Sequence, residues 1–72
     1  MHFYLYLQQQ LQQSKKTRLQ LCESLQISQS TVSLWLSNNR KPDYNKLEKV
    51  VSFFAKSPTM KRKHLHFIFF GQ

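Results

Sequence analysis

The segment that decides the fold spans residues 17–37 and reads TRLQLCESLQISQSTVSLWLS. Apolar residues recur in it at helical spacing in two short runs, and only a tight turn fits between the runs. Thr17 and Ser28 stand just before these runs, where a hydroxyl can accept a bond from a first-turn amide and act as an N-cap. The segment therefore predicts two short helices that cross at a steep angle, a helix-turn-helix.

Such a crossing needs an apolar set at fixed places and a small residue where the two helices approach most closely. Cys22 is the small residue, and Trp35 is expected in the core with Val32 rather than stacked on bases. Leu36 is also expected to face inward. The apolar set comprises Leu21, Leu25, Ile27, Val32 and Trp35.

Residues 3–13 allow two interpretations. Phe3, Leu7 and Leu11 recur at helical spacing, whereas the aromatic residues and a local alternation are typical of a strand. We favour a helix, because the glutamine-rich residues 8–13 extend the element beyond ordinary strand length.

A further helix is predicted after Asp43, which is its expected N-cap. Leu47, Val50, Val51 and Phe54 follow the spacing i, i+3, i+4, i+7 of one buried helix face. Pro42 cannot continue the preceding helix, so the segment before it is expected to be a loop.

The C-terminal residues 64–70, HLHFIFF, are mostly large and apolar, follow a basic cluster at 61–63 and show no evident helix cap. They predict a strand. The predicted fold is thus mainly α, with a compact helical domain at residues 1–58 and a basic segment and C-terminal β-strand at residues 59–72.

A strand this apolar would invite aggregation if it were exposed. We expect it to pair with a second subunit, although it could instead fold back on its own helices or pair with residues 3–7. The expected dimerisation residues are Leu65, Phe67, Ile68 and Phe69.

The composition limits the possible functions. Eleven Lys and Arg against three Asp and Glu give a net charge of +8, which implies a polyanionic partner such as nucleic acid. One cysteine excludes an intrachain disulfide, and a single thiol with three scattered histidines argues against a metal site. We expect no cofactor, no small-molecule ligand and no enzymatic activity, because paired carboxylates, a nucleophile–base set and a phosphate loop are all missing.

No apolar run approaches the roughly 20 residues that span a bilayer. The first residues also lack the basic start and the cleavage site of a signal peptide. The expected location is therefore the cytoplasm, on the nucleoid when bound if the host cell is bacterial, with no membrane partner.

Residues 25–36, LQISQSTVSLWL, followed by NRKP at 39–42, resemble the Cro and phage-repressor class of helix-turn-helix domains. The resemblance covers roughly residues 17–54 and implies a compact four- to five-helix bundle that binds operator DNA as a symmetric dimer. Residues 1–58 would then be the DNA-binding domain and residues 59–72 the dimerisation element. Three positions depart from the family pattern. Gln26 stands where the turn usually has glycine, Asn38 or Asn39 replaces a glycine after the third helix, and Leu36 stands where an acidic residue is frequent.

The third helix is the expected recognition helix, with base contacts from Gln29, Ser30, Ser33 and Leu34. Glutamine can bond adenine through two atoms, serine can bond donors or acceptors, and leucine suits a thymine methyl group. Phosphate contacts are expected before and after this helix, where they give affinity and register rather than sequence information. These are Lys16, Thr17, Arg18, Asn38, Asn39, Arg40 and Lys41.

The sequence thus predicts a sequence-specific regulator of transcription that binds double-stranded DNA, a Cro-like repressor of a phage or other mobile element acting as a homodimer on a palindromic operator. One alternative is an antitoxin whose apolar tail binds a toxin and whose helix-turn-helix regulates its own operon. Another is a cationic protein bound at a membrane surface.

Overall fold

The computed structural model describes residues 2–70, which form five α-helices and contain no β-strand. Met1, Gly71 and Gln72, which the predicted limits 1–58 and 59–72 include, lie outside the described residues. No helix within this part of the chain is both long and apolar enough to cross a membrane. The helices are α1 (Phe3–Gln13), α2 (Arg18–Leu25), α3 (Gln29–Leu36), α4 (Tyr44–Phe54) and α5 (Pro58–Phe70).

The predicted C-terminal strand is wrong, because this segment forms the helix α5. The helix starts at Pro58, whose missing N–H costs nothing in a first turn, and the Ser57 hydroxyl accepts a bond from the Met60 amide at 3.2 Å. Leu65 and Ile68 both pack against the core. A spacing of three brings them to one face of a helix, whereas a strand would have placed them on opposite faces.

Residues 3–13 form a helix, as favoured from the sequence. Tyr6 and Leu7 are buried, and Phe3 and Leu11 pack against the core from its edge. The Tyr6 hydroxyl lies 2.8 Å from Nδ1 of His64, so α1 and α5 are joined by a hydrogen bond between side chains.

All three predicted N-caps are confirmed. The Thr17 hydroxyl accepts from the Gln20 amide at 3.1 Å, while the Gln20 side-chain oxygen accepts from the Thr17 amide at 2.8 Å. Ser28 accepts a bond at the start of α3 and Asp43 at the start of α4, at 3.2 and 2.8 Å. These bonds satisfy first-turn amides and fix where each helix begins.

The turn between α2 and α3 depends on a left-handed residue. Gln26 has φ 57° and ψ 46°. This conformation lets the Ile27 amide bond back to the carbonyl of Cys22 at 3.0 Å and end α2 abruptly. The glutamine adopts the conformation for which glycine is better suited, at a cost on the order of 1 kcal/mol.

A second left-handed residue ends α3. Asn38 has φ 62°, and its amide bonds to the carbonyl of Trp35 at 3.2 Å. The next amide, that of Asn39, bonds to the carbonyl of Leu34 at 3.0 Å. Together these bonds form the Schellman arrangement, for which asparagine is an accepted substitute for glycine.

The core lies between α1, α2, α3 and α4, with α5 across one side. The predicted inward residues of the helix-turn-helix and of α4 are buried, while Ile27 and Leu36 are only partly buried. No polar or charged side chain is buried among the described residues. The buried set is Tyr6, Leu7, Leu21, Cys22, Leu25, Val32, Trp35, Leu47, Val50, Val51 and Phe54.

Candidate nucleic-acid interface

The outward face of α3 carries the four residues predicted to read bases. Gln29, Ser30, Ser33 and Leu34 are all exposed, while Val32 and Trp35 on the opposite face hold the helix in the core. Gln29 and Ser30 form the start of the helix, where the chain leaves the cap at Ser28. The structure therefore separates the candidate reading face from the residues that stabilise the fold.

A hydrogen bond links this face to α2. Nη2 of Arg18, the first residue of α2, donates to Oγ of Ser33 at 2.5 Å. Both side chains are exposed. The bond brings together one residue predicted to contact phosphate and one predicted to contact a base.

The loop after α3 holds the second group of predicted phosphate contacts. Asn38, Asn39, Arg40 and Lys41 are all exposed. The backbone is nevertheless well fixed, because the Arg40 amide bonds to the Leu34 carbonyl at 3.2 Å, in addition to the bonds that end α3. Because the backbone after α3 is fixed, these four side chains extend from defined positions and can contact a phosphate from there.

Two predicted phosphate contacts also have roles within the fold. The Lys16 ammonium donates a hydrogen bond to the carbonyl of Phe53 and lies 4.6 Å from the centre of the Phe53 ring. It thus joins the loop before α2 to the end of α4 and meets an unpaired carbonyl there. The hydroxyl of Thr17 serves as the N-cap of α2.

The acidic residues are few, and none of them is part of α3. Of the three in the sequence, Asp43 caps α4, Glu48 pairs with Lys61 at 2.9 Å, and Glu23 belongs to α2. None belongs to α3 or to residues 38–41. The candidate reading face and the loop that follows it therefore contain no residue that would repel a phosphate backbone.

The titratable side chains of Tyr6 and His64 are hydrogen-bonded to each other. Burial raises the pKa of Tyr6 and, to a lesser extent, lowers the pKa of His64, which accepts or donates the hydrogen bond between them. Cys22 is a free cysteine buried in the core. Within residues 2–70, no group of three or more His, Cys, Asp or Glu side chains is placed to hold a metal ion.

The contact between Arg18 and Ser33 was not predicted. The two residues are 15 positions apart in the sequence, on different helices. Their meeting depends on the angle at which α2 crosses α3, and no local pattern gives that angle. Among the described residues, the dimerisation set is also divided: Leu65 and Ile68 pack on the core, whereas Phe67 and Phe69 are exposed.

A family model described as helix-turn-helix matches residues 7–60, well over half of the 72 residues. The match begins within α1, includes α2, α3 and α4, and ends in the first turn of α5. No curated protein and no solved structure matches the chain significantly.

Proposed function

Since this chain belongs to the helix-turn-helix family, a class of DNA-binding regulators, we propose that it is a sequence-specific repressor of transcription that binds double-stranded operator DNA. The observation that carries the proposal is the exposed outward face of α3. It presents hydrogen-bonding and apolar side chains that suit base edges, on a chain with a net charge of +8.

In this proposal, α3 enters the major groove with its first turn towards the bases. Gln29 bonds adenine through its amide oxygen and nitrogen, and Leu34 contacts a thymine methyl group. Ser30 and Ser33 offer hydroxyls that can donate or accept. The exposure of all four side chains supports the proposal, because none must leave the core in order to contact DNA.

Phosphate contacts on either side of α3 supply affinity and orientation. The residues after α3 that are proposed for this role are Asn38, Asn39, Arg40 and Lys41. Those before it are Lys16, which also bonds Phe53, and Thr17. Arg18 is expected among them from the sequence, but its guanidinium turns towards α3. Such contacts make binding depend on salt, because each neutralised phosphate releases counterions.

We propose further that the protein acts as a homodimer through α5. The exposed aromatic residues there are Phe67, Phe69 and Phe70, which are 55%, 49% and 73% exposed. A second copy is the proposed occupant, because a chain of this size buries a small core and gains stability from association. Two-fold symmetry would set two α3 helices about 34 Å apart on a palindromic operator.

The same exposed aromatic residues of α5 support the second candidate, an antitoxin whose tail binds a toxin. A heterologous partner would then cover Phe67, Phe69 and Phe70, and the helix-turn-helix would regulate the operon that encodes both proteins. Oligomeric state separates the two candidates, because a purified homodimer has already covered the surface that a toxin would need.

The deciding experiment selects preferred sites from random duplex DNA with the full-length protein and then measures affinity for the selected site. We expect the selected site to be a palindrome. At sites where an adenine faces Gln29, Gln29→Ala should lower the affinity by about 5- to 150-fold. Gln9→Ala, on the exposed surface of α1, is the matched control and should bind like the parent. Equal affinity for all duplexes would overturn the proposal.

A further inference from the structure

We propose that Arg18 reads a base, a guanine in the major groove, instead of anchoring a phosphate. The inference deepens the proposed function and rests on it. It starts from the 2.5 Å hydrogen bond between Nη2 of Arg18 and Oγ of Ser33. Ser33 is the fifth residue of α3, and with Gln29 it lies on one face of the helix, since residues four apart share a face.

The bond directs the guanidinium towards the reading face. A side chain that anchored a phosphate from the start of α2 would extend along the DNA backbone, where the first-turn amides also attract an anion. Arg18 instead reaches across to the middle of α3. Its charged group therefore lies at the surface that would face base edges once α3 is in the groove.

The hydrogen-bonding capacity of Arg18 is largely unused. A guanidinium has five N–H donors in a fixed fork, and the bond to Ser33 takes one. No carboxylate within residues 2–70 pairs with it, because the ion pair found there joins Lys61 and Glu48. Arg18 thus keeps its full charge and enough donors for a bond through two atoms.

Guanine is the base that fits this group. It presents two acceptors, N7 and O6, to the major groove, and an arginine fork bonds both at once. The outward side chains of α3 are uncharged, so the helix has no comparable cationic donor of its own. Ser33 adds preorganisation, because a guanidinium already held in place loses less conformational freedom on binding.

The test uses the operator selected with the parent protein and measures affinity for that site and for every single-base-pair change within it. For Arg18→Ala, we expect the preference at one G·C pair to fall by about 5- to 150-fold while the preferences elsewhere remain. Arg18→Lys keeps the charge but not the planar fork, so it should also lose preference at that pair. Ser33→Ala should weaken the same preference to a smaller degree.

Arg40→Ala is the matched control, because Arg40 is proposed to contact phosphate. It should weaken binding to all sequences alike and reduce the slope of log affinity against log salt by about one. If Arg18→Ala behaves like Arg40→Ala, or leaves every preference unchanged, Arg18 does not read a base, although the regulator remains sequence-specific. If the parent itself shows no preference, the proposed function fails together with this inference.

Discussion

Gln26 holds the turn between α2 and α3 in a conformation that glycine adopts more readily. Its φ of 57° brings its Cβ close to the following carbonyl oxygen, a contact that glycine avoids because it has no Cβ. The turn forms because the helices on both sides bury Leu25 and Val32 in one core. Tertiary packing therefore overcomes a local preference at this residue.

We predict that Gln26→Gly raises the free energy of unfolding by about 0.5 kcal/mol. The relief of the left-handed strain exceeds the extra entropy that glycine gives the unfolded chain. Chemical denaturation measures the change, and Asn38→Gly serves as the comparison at φ 62°. Asparagine tolerates this region better, so its replacement should gain less. A loss of stability in Gln26→Gly would contradict the prediction.

At the level of single residues, the sequence was a good guide to side chains whose role is local. The N-caps at Thr17, Ser28 and Asp43 follow from hydroxyl and carboxylate chemistry within one turn, and the structure contains all three. The bond between Arg18 and Ser33 is of another kind. It depends on how two helices cross, which is a property of the packed core and not of either segment.

Helix α5 is attached to the rest of the domain partly through His64. Its Nδ1 meets the Tyr6 hydroxyl at 2.8 Å, and the two rings are in edge contact with centroids 5.5 Å apart. Burial lowers the pKa of His64 from its ordinary value of 6.5, because the charged form is poorly solvated there. Docking of α5 is therefore linked to the protonation of this histidine.

We predict that stability falls as the pH drops below about 6.5, because the unfolded chain then takes up a proton on His64 more readily than the folded chain. The contribution is complete above that pH and decreases towards the lower pKa of the folded state. Unfolding measured between about pH 7 and 5 tests this. His64→Asn keeps an acceptor near Nδ1 without titrating, so its pH dependence should be shallower.

His66→Asn is the matched control, at an exposed position of the same helix. The stability of this variant should depend on pH as steeply as that of the parent, and more steeply than that of His64→Asn. A parent and a His64→Asn variant with equal slopes would show that the hydrogen bond to Tyr6 does not link folding to pH.

The elements differ in how well their sequences predict them. In α4, an N-cap and an apolar spacing of i, i+3, i+4, i+7 agree, and the helix begins and buries its residues as expected. In α5, the large apolar and aromatic residues and the lack of an evident helix cap favoured a strand. Two features indicate the helix: the pair Ser57–Pro58, which starts it, and the spacing of Leu65 and Ile68, which places both on one face. These features favour a helix only when α1 and α4 form a surface for that face to cover.

For the whole molecule, the exposed aromatic side chains of α5 are the surface that a partner would cover. Phe69 stacks on Tyr44 with ring centroids 6.3 Å apart, so part of this face is tied to the start of α4. Phe70 is 73% exposed and extends the aromatic surface beyond that contact. A large apolar surface of this kind on a small domain is typical of association.

We predict that the full chain has the mass of two copies in light scattering at micromolar concentration. The double change Phe67→Ser with Phe70→Ser should produce monomers, because it removes apolar area from the proposed contact. Leu19→Ser removes an exposed apolar side chain from α2 and is the matched control, so it should remain dimeric. A monomeric parent would refute the homodimer, and a co-purified second protein would favour the antitoxin candidate.

The exposed position of the proposed reading residues on α3 has a consequence for how such a regulator can diverge. Gln29, Ser30 and Leu34 contribute little to the core, so substitutions there leave the free energy of folding nearly unchanged. Mutations can therefore sample new operator preferences without first acquiring a compensating stabilising change. Two copies of the gene in one cell could in this way become independent switches after only a few substitutions.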